Sequence, residues 1–154
     1  MENEKTWGWE LAENNSLLPK IFGCYPSFHD AAVATFTLSR TRKSSEGVDG
    51  KPRRAGLERH MLDLRLEIMH DCYGPPHAES DPHCIVVVDL LDIRKSDIDV
   101  NAMLDEATIM DITLQRTADN LISFDLMPNV GLDVRVTCKE VSIVEIRPYR
   151  RDDY

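Results

Sequence analysis

The feature that most constrains this chain is an apolar/polar alternation that begins near residue 61 and returns in almost every later segment. In "MLDLRLEIMH", residues 61–70, Leu62, Leu64, Leu66 and Ile68 fall on one side and Asp63, Arg65 and Glu67 on the other. A period of two over that length specifies a strand with one buried and one wet face. "IMDITLQR" sets Met110, Ile112 and Leu114 against Asp111, Thr113 and Gln115. "LISFDLM" sets Ile122, Phe124 and Leu126 against Ser123 and Asp125, and "GLDVRVTC" sets Leu132, Val134, Val136 and Cys138 against Asp133, Arg135 and Thr137. "IVVVDLL" is apolar on both faces, as a central, covered strand requires, and "EVSIVEIRP" ends at Pro148. Parallel crossovers need about a dozen residues between strands, and the segments from residue 109 on are spaced more closely than that, so the sheet is expected to be antiparallel.

Ahead of the strands, "NNSLLPKIFG" places Ser16 as a helix N-cap, Pro19 in the first turn and Gly23 past the end, predicting a short helix over 17–22. The fold class read from these patterns is α+β: mainly an antiparallel sheet of about six strands with a short N-terminal helix. The chain's 154 residues suit a single domain, 1–154, large enough to bury a core without disulfides or metals. Two polar loops interrupt the strands. Residues 41–59 are basic and rich in Gly and Ser, and are expected to be mobile; residues 71–83 carry three prolines. No apolar run approaches a membrane span and no secretory signal opens the chain, so the expected location is cytoplasmic. The cysteines Cys24, Cys72, Cys84 and Cys138 have no close pairing and are expected to be small buried hydrophobes.

Charge is unevenly spread. Arg40–Arg59 holds seven basic and three acidic residues, whereas Asp63–Asp133 holds fifteen acidic and four basic ones. A chain of net charge −9 with such a stretch repels nucleic acid and membrane surfaces and attracts basic proteins.

His70, Cys72, His77, His83 and Cys84 lie within fifteen residues, the residue types zinc takes. No CxxC or HxxxH pair preorganises half a site, and His70 continues the buried register of its strand, so no metal is expected. "PSFHD", residues 26–30, invites a catalytic reading with His29 as base, Asp30 as its orienting group and Ser27 as nucleophile. Neighbours on an extended strand point to opposite faces, and Ser27 lacks the glycine-flanked turn that exposes a nucleophile. The structural reading has Pro26 fixing the backbone, Ser27 or Asp30 bonding nearby amides, Phe28 in the core, and His29 as a buried ring on a backbone carbonyl. No phosphate-binding glycine loop or dinucleotide fingerprint is present, and no cofactor is expected.

Trp7 or Trp9, then Phe22–Gly23, then "PSFHDAAV" leading into a strand, resemble the immunity protein 50 family of bacterial polymorphic-toxin systems. The resemblance covers roughly residues 7–40, with "VEIRP" near the C-terminus in addition; Tyr25 stands where members often carry Trp. It implies a small cytoplasmic protein that binds and neutralises a cognate toxin by stoichiometric binding, with no catalysis. Trp9, Phe22, Gly23, Pro26, Ser27, Phe28, His29 and Asp30 would then be fold determinants. If the toxin is a basic nuclease, the acidic band offers its interface, with Asp92, Asp97, Asp99, Asp105 and Glu106 as candidates on exposed connecting backbone. The second reading is a small enzyme or ligand-binding domain built on "SFHD".

Overall fold

A computed structural model describes residues 5–70, 83–100 and 107–149. Six strands follow a 3₁₀ turn (Trp9–Leu11) and helix α1 (Leu17–Phe22): β1 (Ala32–Ser44), β2 (Arg59–His70), β3 (Cys84–Asp99), β4 (Thr108–Arg116), β5 (Ile122–Val130) and β6 (Asp133–Pro148). All strand pairings are antiparallel, and the sheet closes into a barrel in the order β1-β2-β3-β6-β5-β4. Closure is the step that alternation alone does not contain. No helix among the described residues is long and apolar enough to cross a membrane.

The register stacks the apolar sets on one face. Leu64, Leu66 and Ile68 pair with Leu90, Val88 and Val86, and Val134, Val136 and Cys138 on β6 lie beside Leu126, Phe124 and Ile122 on β5. All twelve belong to one buried cluster, the barrel's filled interior. Ile85 and Val87, on the other face of β3, are buried as well, as expected of a strand apolar on both sides.

Two strand edges are not covered by neighbouring strands. β5 reaches β6 only as far as Cys138, and β4 touches β1 only at Ala32↔Thr108. The N-terminal segment fills both gaps. Glu13 N–H donates to the Val141 carbonyl (2.8 Å) and Ile143 N–H to the Glu13 carbonyl (2.9 Å). On β4, Leu114 N–H donates to the Trp7 carbonyl (2.9 Å) and Ile112 N–H to that of Ser27 (3.2 Å). Unpaired backbone groups at a buried edge cost free energy comparable to a lost hydrogen bond, so these bonds decide the path of residues 7–31. Between them Trp9, Leu18 and Phe28 drop into the core, with Trp9 edge-on to Phe28 at 5.5 Å and to Phe124 at 6.3 Å.

Several sequence expectations are corrected. Helix α1 has the predicted bounds and ends on a left-handed Gly23 whose N–H bonds to the Pro19 carbonyl. Ser16, however, is itself helical and makes no side-chain cap. Met110 is 42% exposed because irregular register between Ile109 and Asp111 puts Ile109 in the core instead. Residues 94–99 are not connecting backbone: β3 continues through Asp99, held by pairs to residues 133–137 of β6. The loop between β1 and β2 is shorter than expected and anchored by internal bonds, Gly47 N–H to the Lys51 carbonyl and Arg53 N–H to that of Ser45.

Gly8 has φ +91°, and a β-carbon there would lie 1.9 Å from the Leu114 carbonyl oxygen, whereas Gly23 has φ +79° with open space around it. Gly23→Ala is therefore expected to cost only about 1–2 kcal/mol, the left-handed penalty. Gly8→Ala adds a backbone collision and is expected to cost about 3 kcal/mol or more. Urea unfolding of the two variants checks the difference; equal losses would mean that Trp7–Gly8 does not pack on β4.

Candidate functional site

The "SFHD" segment lies at the seam between β1 and β4. Phe28 and Asp30 both take left-handed backbone, φ 63° and 64°. That contortion lets Ala31 N–H turn back to the Phe28 carbonyl (3.0 Å) while Asp30 N–H reaches the Ile109 carbonyl (2.8 Å). Pro26 and Phe28 are buried, and the Ser27 hydroxyl accepts the His29 N–H at 3.2 Å. His29 Nδ1–H donates to the Met110 carbonyl at 2.8 Å, the expected type of bond, but the imidazole is not buried: its side chain is 61% exposed. The expectation that His29 and Asp30 face apart also fails. With Asp30 left-handed the backbone is not extended, and His29 Nε2 stands 3.5 Å from Asp30 Oδ2. The other Asp30 oxygen accepts the Asn129 amide at 3.1 Å, tying the seam to the end of β5. Both imidazole nitrogens thus face acceptors, and Ser27 contacts the backbone amide of His29, not its ring. A general base needs a nitrogen within reach of the proton it abstracts, and neither is aimed at a hydroxyl here.

Of the histidine and cysteine candidates, the structure brings His70, His83 and Cys84 to the same end of β2 and β3. His70 pairs with Cys84 across β2 and β3 and lies tilted against Phe22 at 4.5 Å, while His83 lies edge-on to Tyr149 at 6.2 Å. No group of three His, Cys, Asp or Glu among the described residues could hold a metal; Cys72 and His77 lie outside the described residues. Cys84 and Cys138 are buried as expected, and burial pushes the Cys138 thiol up to about 12. Cys24, in contrast, is exposed, in the turn that follows α1.

The acidic candidates separate into different environments. Asp92 is 2% exposed and presents no charge to a partner. It sits left-handed (φ 57°) near the irregularity between Ile93 and Lys95, where the β3 backbone turns its carboxylate inward. Arg59 donates to both of its oxygens at 3.0 Å, Arg94 at 3.2 and 2.9 Å, and its own N–H bonds to Asp63 at 2.9 Å. The same arginines hold the β1–β2 loop through the carbonyls of Glu46 and Val48. Asp105 and Glu106 lie outside the described residues.

Asp97 and Asp99 are exposed and point outward from the sheet. Register gives them company that sequence spacing did not show. Asp97 pairs with Arg135, Arg135 with Asp125, and Asp125 with Thr113; one step along, Asp99 pairs with Asp133 and Met127 with Asp111. Directly paired residues share a face, so Asp97, Asp99, Asp111, Asp125 and Asp133 stand together on the outside of β3-β6-β5-β4. Their alternates Ile98, Val134, Leu126 and Ile112 turn inward. Arg135, 3.8 Å from Asp133, lies among them, and Lys95 is in the neighbouring row, paired with Thr137. The sequence signal was available as the polar half of each alternating strand; what was missing was which strands lie side by side.

Comparisons of the chain with protein-family models, with curated proteins and with solved structures find no match.

Two measurements probe these environments. Burial raises the Asp92 carboxyl, but hydrogen bonds from Arg94 and Arg59 overcome it and hold the group below its ordinary 3.8. A depressed folded-state value stabilises the fold above the ordinary value, and that stability is lost as pH falls from there. Asp92→Asn leaves two mostly buried guanidinium groups without a counter-charge and is expected to cost about 3–5 kcal/mol near pH 7. The variant should also lose stability less steeply than wild type below pH 3.8. In the seam, Phe28→Ala is expected to cost about 3–5 kcal/mol and His29→Ala about 1 kcal/mol or less, by denaturant titration. A larger loss for His29→Ala would show that its ring is buried after all.

Proposed function

We propose that this protein is a stoichiometric inhibitor that neutralises a cognate toxin by covering it, an immunity protein of the immunity protein 50 type. The observation that carries the reading is the outward row of Asp97, Asp99, Asp111, Asp125 and Asp133 on four adjacent strands. Neighbouring strands are about 4.8 Å apart and alternate residues on one strand about 6.8 Å, so the carboxylates form a grid on a rigid support. A nuclease that grips phosphates must display lysines and arginines, and an anionic grid can engage them in place of the nucleic acid. Rigid strands hold the carboxylates in position before contact, which reduces the ordering cost of binding. The field of such a patch also speeds capture, which matters when free toxin is lethal.

The resemblance in "PSFHDAAV" supports the same class of function, with the seam it builds serving the fold. A catalytic reading of His29 and Asp30 gains nothing from a ring whose nitrogens both face acceptors.

The test is charge reversal of Asp97, Asp99, Asp125 and Asp133 to lysine, with the toxin encoded beside this gene as partner. All four are on the outer face, so the circular dichroism spectrum should be retained. Association is expected to slow by about tenfold or more, its salt dependence to flatten, and protection in co-expression to fail. Unchanged rates across salt concentrations would exclude this face as the interface. Unchanged growth protection with no complex at all would exclude stoichiometric inhibition.

A further inference from the structure

The outward face that carries the aspartates continues along β6 beyond them. With Val134, Val136 and Cys138 turned inward, Asp133, Arg135, Thr137 and Lys139 follow one another on the outside. Lys139 is thus about 14 Å from Arg135 and about 20 Å from Asp133 along the strand. A standard interface buries about 800 Å² per partner, a patch roughly 30 Å across, so a protein seated on the aspartates reaches Lys139 as well.

At Lys139 the face opens into a cleft of about 570 Å³, a volume typical of pockets that hold a ligand. The β1–β2 loop supplies Val48 and Asp49, the turn between β4 and β5 supplies Asp119 and Leu121, and Arg94 of β3 and Lys139 of β6 complete the lining. Both rims are held before any partner arrives. In the loop, Arg59 and Arg94 bond the Glu46 and Val48 carbonyls, and Gly50 N–H bonds the Gly47 carbonyl (2.9 Å). In the turn, Thr117 N–H donates to the Leu121 carbonyl (2.9 Å), Asn120 N–H to the Thr117 carbonyl (3.1 Å) and Leu121 N–H to the Thr117 hydroxyl (3.0 Å).

The charges in the cleft select its occupant. Arg94 is 10% exposed and has its donors on Asp92 and the Val48 carbonyl, and Lys139 meets Glu46 at 3.2 Å. Arg53, which passes beside Gly47, donates to the Leu57 carbonyl (3.4 Å). Asp49 accepts the Lys51 N–H (3.0 Å), and neither it nor Asp119 forms an ion pair among the described residues. Two carboxylates are therefore left over, one on each rim, beside the apolar surfaces of Val48 and Leu121. That lining suits a side chain with an apolar stem and a cationic tip. Arginine fits it better than lysine, because a planar guanidinium donates to two carboxylates at once and is less strongly hydrated than an ammonium.

We propose that this cleft is the anchor pocket of the interface and receives an arginine side chain of the toxin, its stem on Val48 and Leu121 and its guanidinium between Asp49 and Asp119. The inference rests on the toxin reading and divides the work of binding: the aspartate rows steer the approach, and the cleft holds what has arrived.

Two experiments separate the pocket from the reading it rests on. The first needs no toxin. Titration with L-argininamide, followed by amide NMR, is expected to shift the backbone signals of Val48, Gly50, Asn120 and Leu121 with millimolar affinity, as a ligand this small allows. L-citrullinamide, which carries a neutral urea in place of the guanidinium, should shift them little, and Asp49→Asn with Asp119→Asn should abolish the response. Equal shifts from both compounds, or none from either, overturn the proposal. In the second experiment the same double variant, bound to the toxin encoded beside this gene, is expected to dissociate about tenfold faster with association nearly unchanged, since it keeps the aspartate rows. An unchanged dissociation rate overturns the arginine anchor, and the toxin reading still stands if reversal of Asp97, Asp99, Asp125 and Asp133 slows association. With no complex at all the toxin reading falls, and the titration alone upholds or overturns the cleft as a guanidinium site.

Discussion

Every part of this structure depends on the backbone hydrogen bonds that residues 7–31 make to the uncovered edges of β4 and β6. Without them the sheet would be an open one with buried, unsatisfied amides beside its core. The segment takes unusual backbone to make them: Trp7, Asn14, Phe28 and Asp30 all have positive φ. For Trp7 and Phe28 that costs about 1–2 kcal/mol each, whereas Asn and Asp take left-handed backbone more readily. Burying a large side chain contributes about 1.5–3 kcal/mol, and Trp9, Leu18 and Phe28 are each buried completely or nearly so. The contortion and the burial are one arrangement, because the left-handed turns are what aim those side chains inward. The "SFHD" motif belongs to this economy of edges. Its Phe is an anchor, its backbone closes the seam, and its His and Asp bond the exposed end of the closure.

A second dependency runs through Asp92. Removing one partner from a buried ion pair is far more costly than the pair's net worth, so a site with two arginines on one carboxylate has little tolerance for change. Arg59 and Arg94 also reach the carbonyls of the β1–β2 loop, and Lys139 meets Glu46 at 3.2 Å. The loop that looks like a flexible insertion in the sequence is thereby fastened to β2, β3 and β6. Charge is sorted as a result. Asp92 and its arginines are spent internally, the remaining cations of residues 40–54 stay near the β1–β2 hairpin, and the outward aspartates occupy the other strands.

That sorting links fold to function. On β3, alternation sends Ile98 inward and Asp97 and Asp99 outward, and the same rule on β4, β5 and β6 adds Asp111, Asp125 and Asp133. A core-forming pattern therefore produces a charged face as its by-product. Whether that face grips a toxin is a matter of partner chemistry, but its existence follows from burial of the alternate residues.

By itself the sequence determined the strands, their buried faces, their antiparallel sense, the short helix ending at Gly23 and the apolar anchor at Phe28. These are local properties: a period of two, a glycine stop and a short connection each act within a few residues. Only the tertiary structure decided that the sheet closes, that Asp92 is inside while Asp97 is outside, that Met110 yields its core place to Ile109, and that His29 meets Asp30. Each of these depends on an irregular register, a left-handed residue or a strand neighbour distant in sequence. A single such irregularity reverses which face a side chain takes, and no alternation pattern can announce it, because the compensating hydrogen bonds come from elsewhere in the chain.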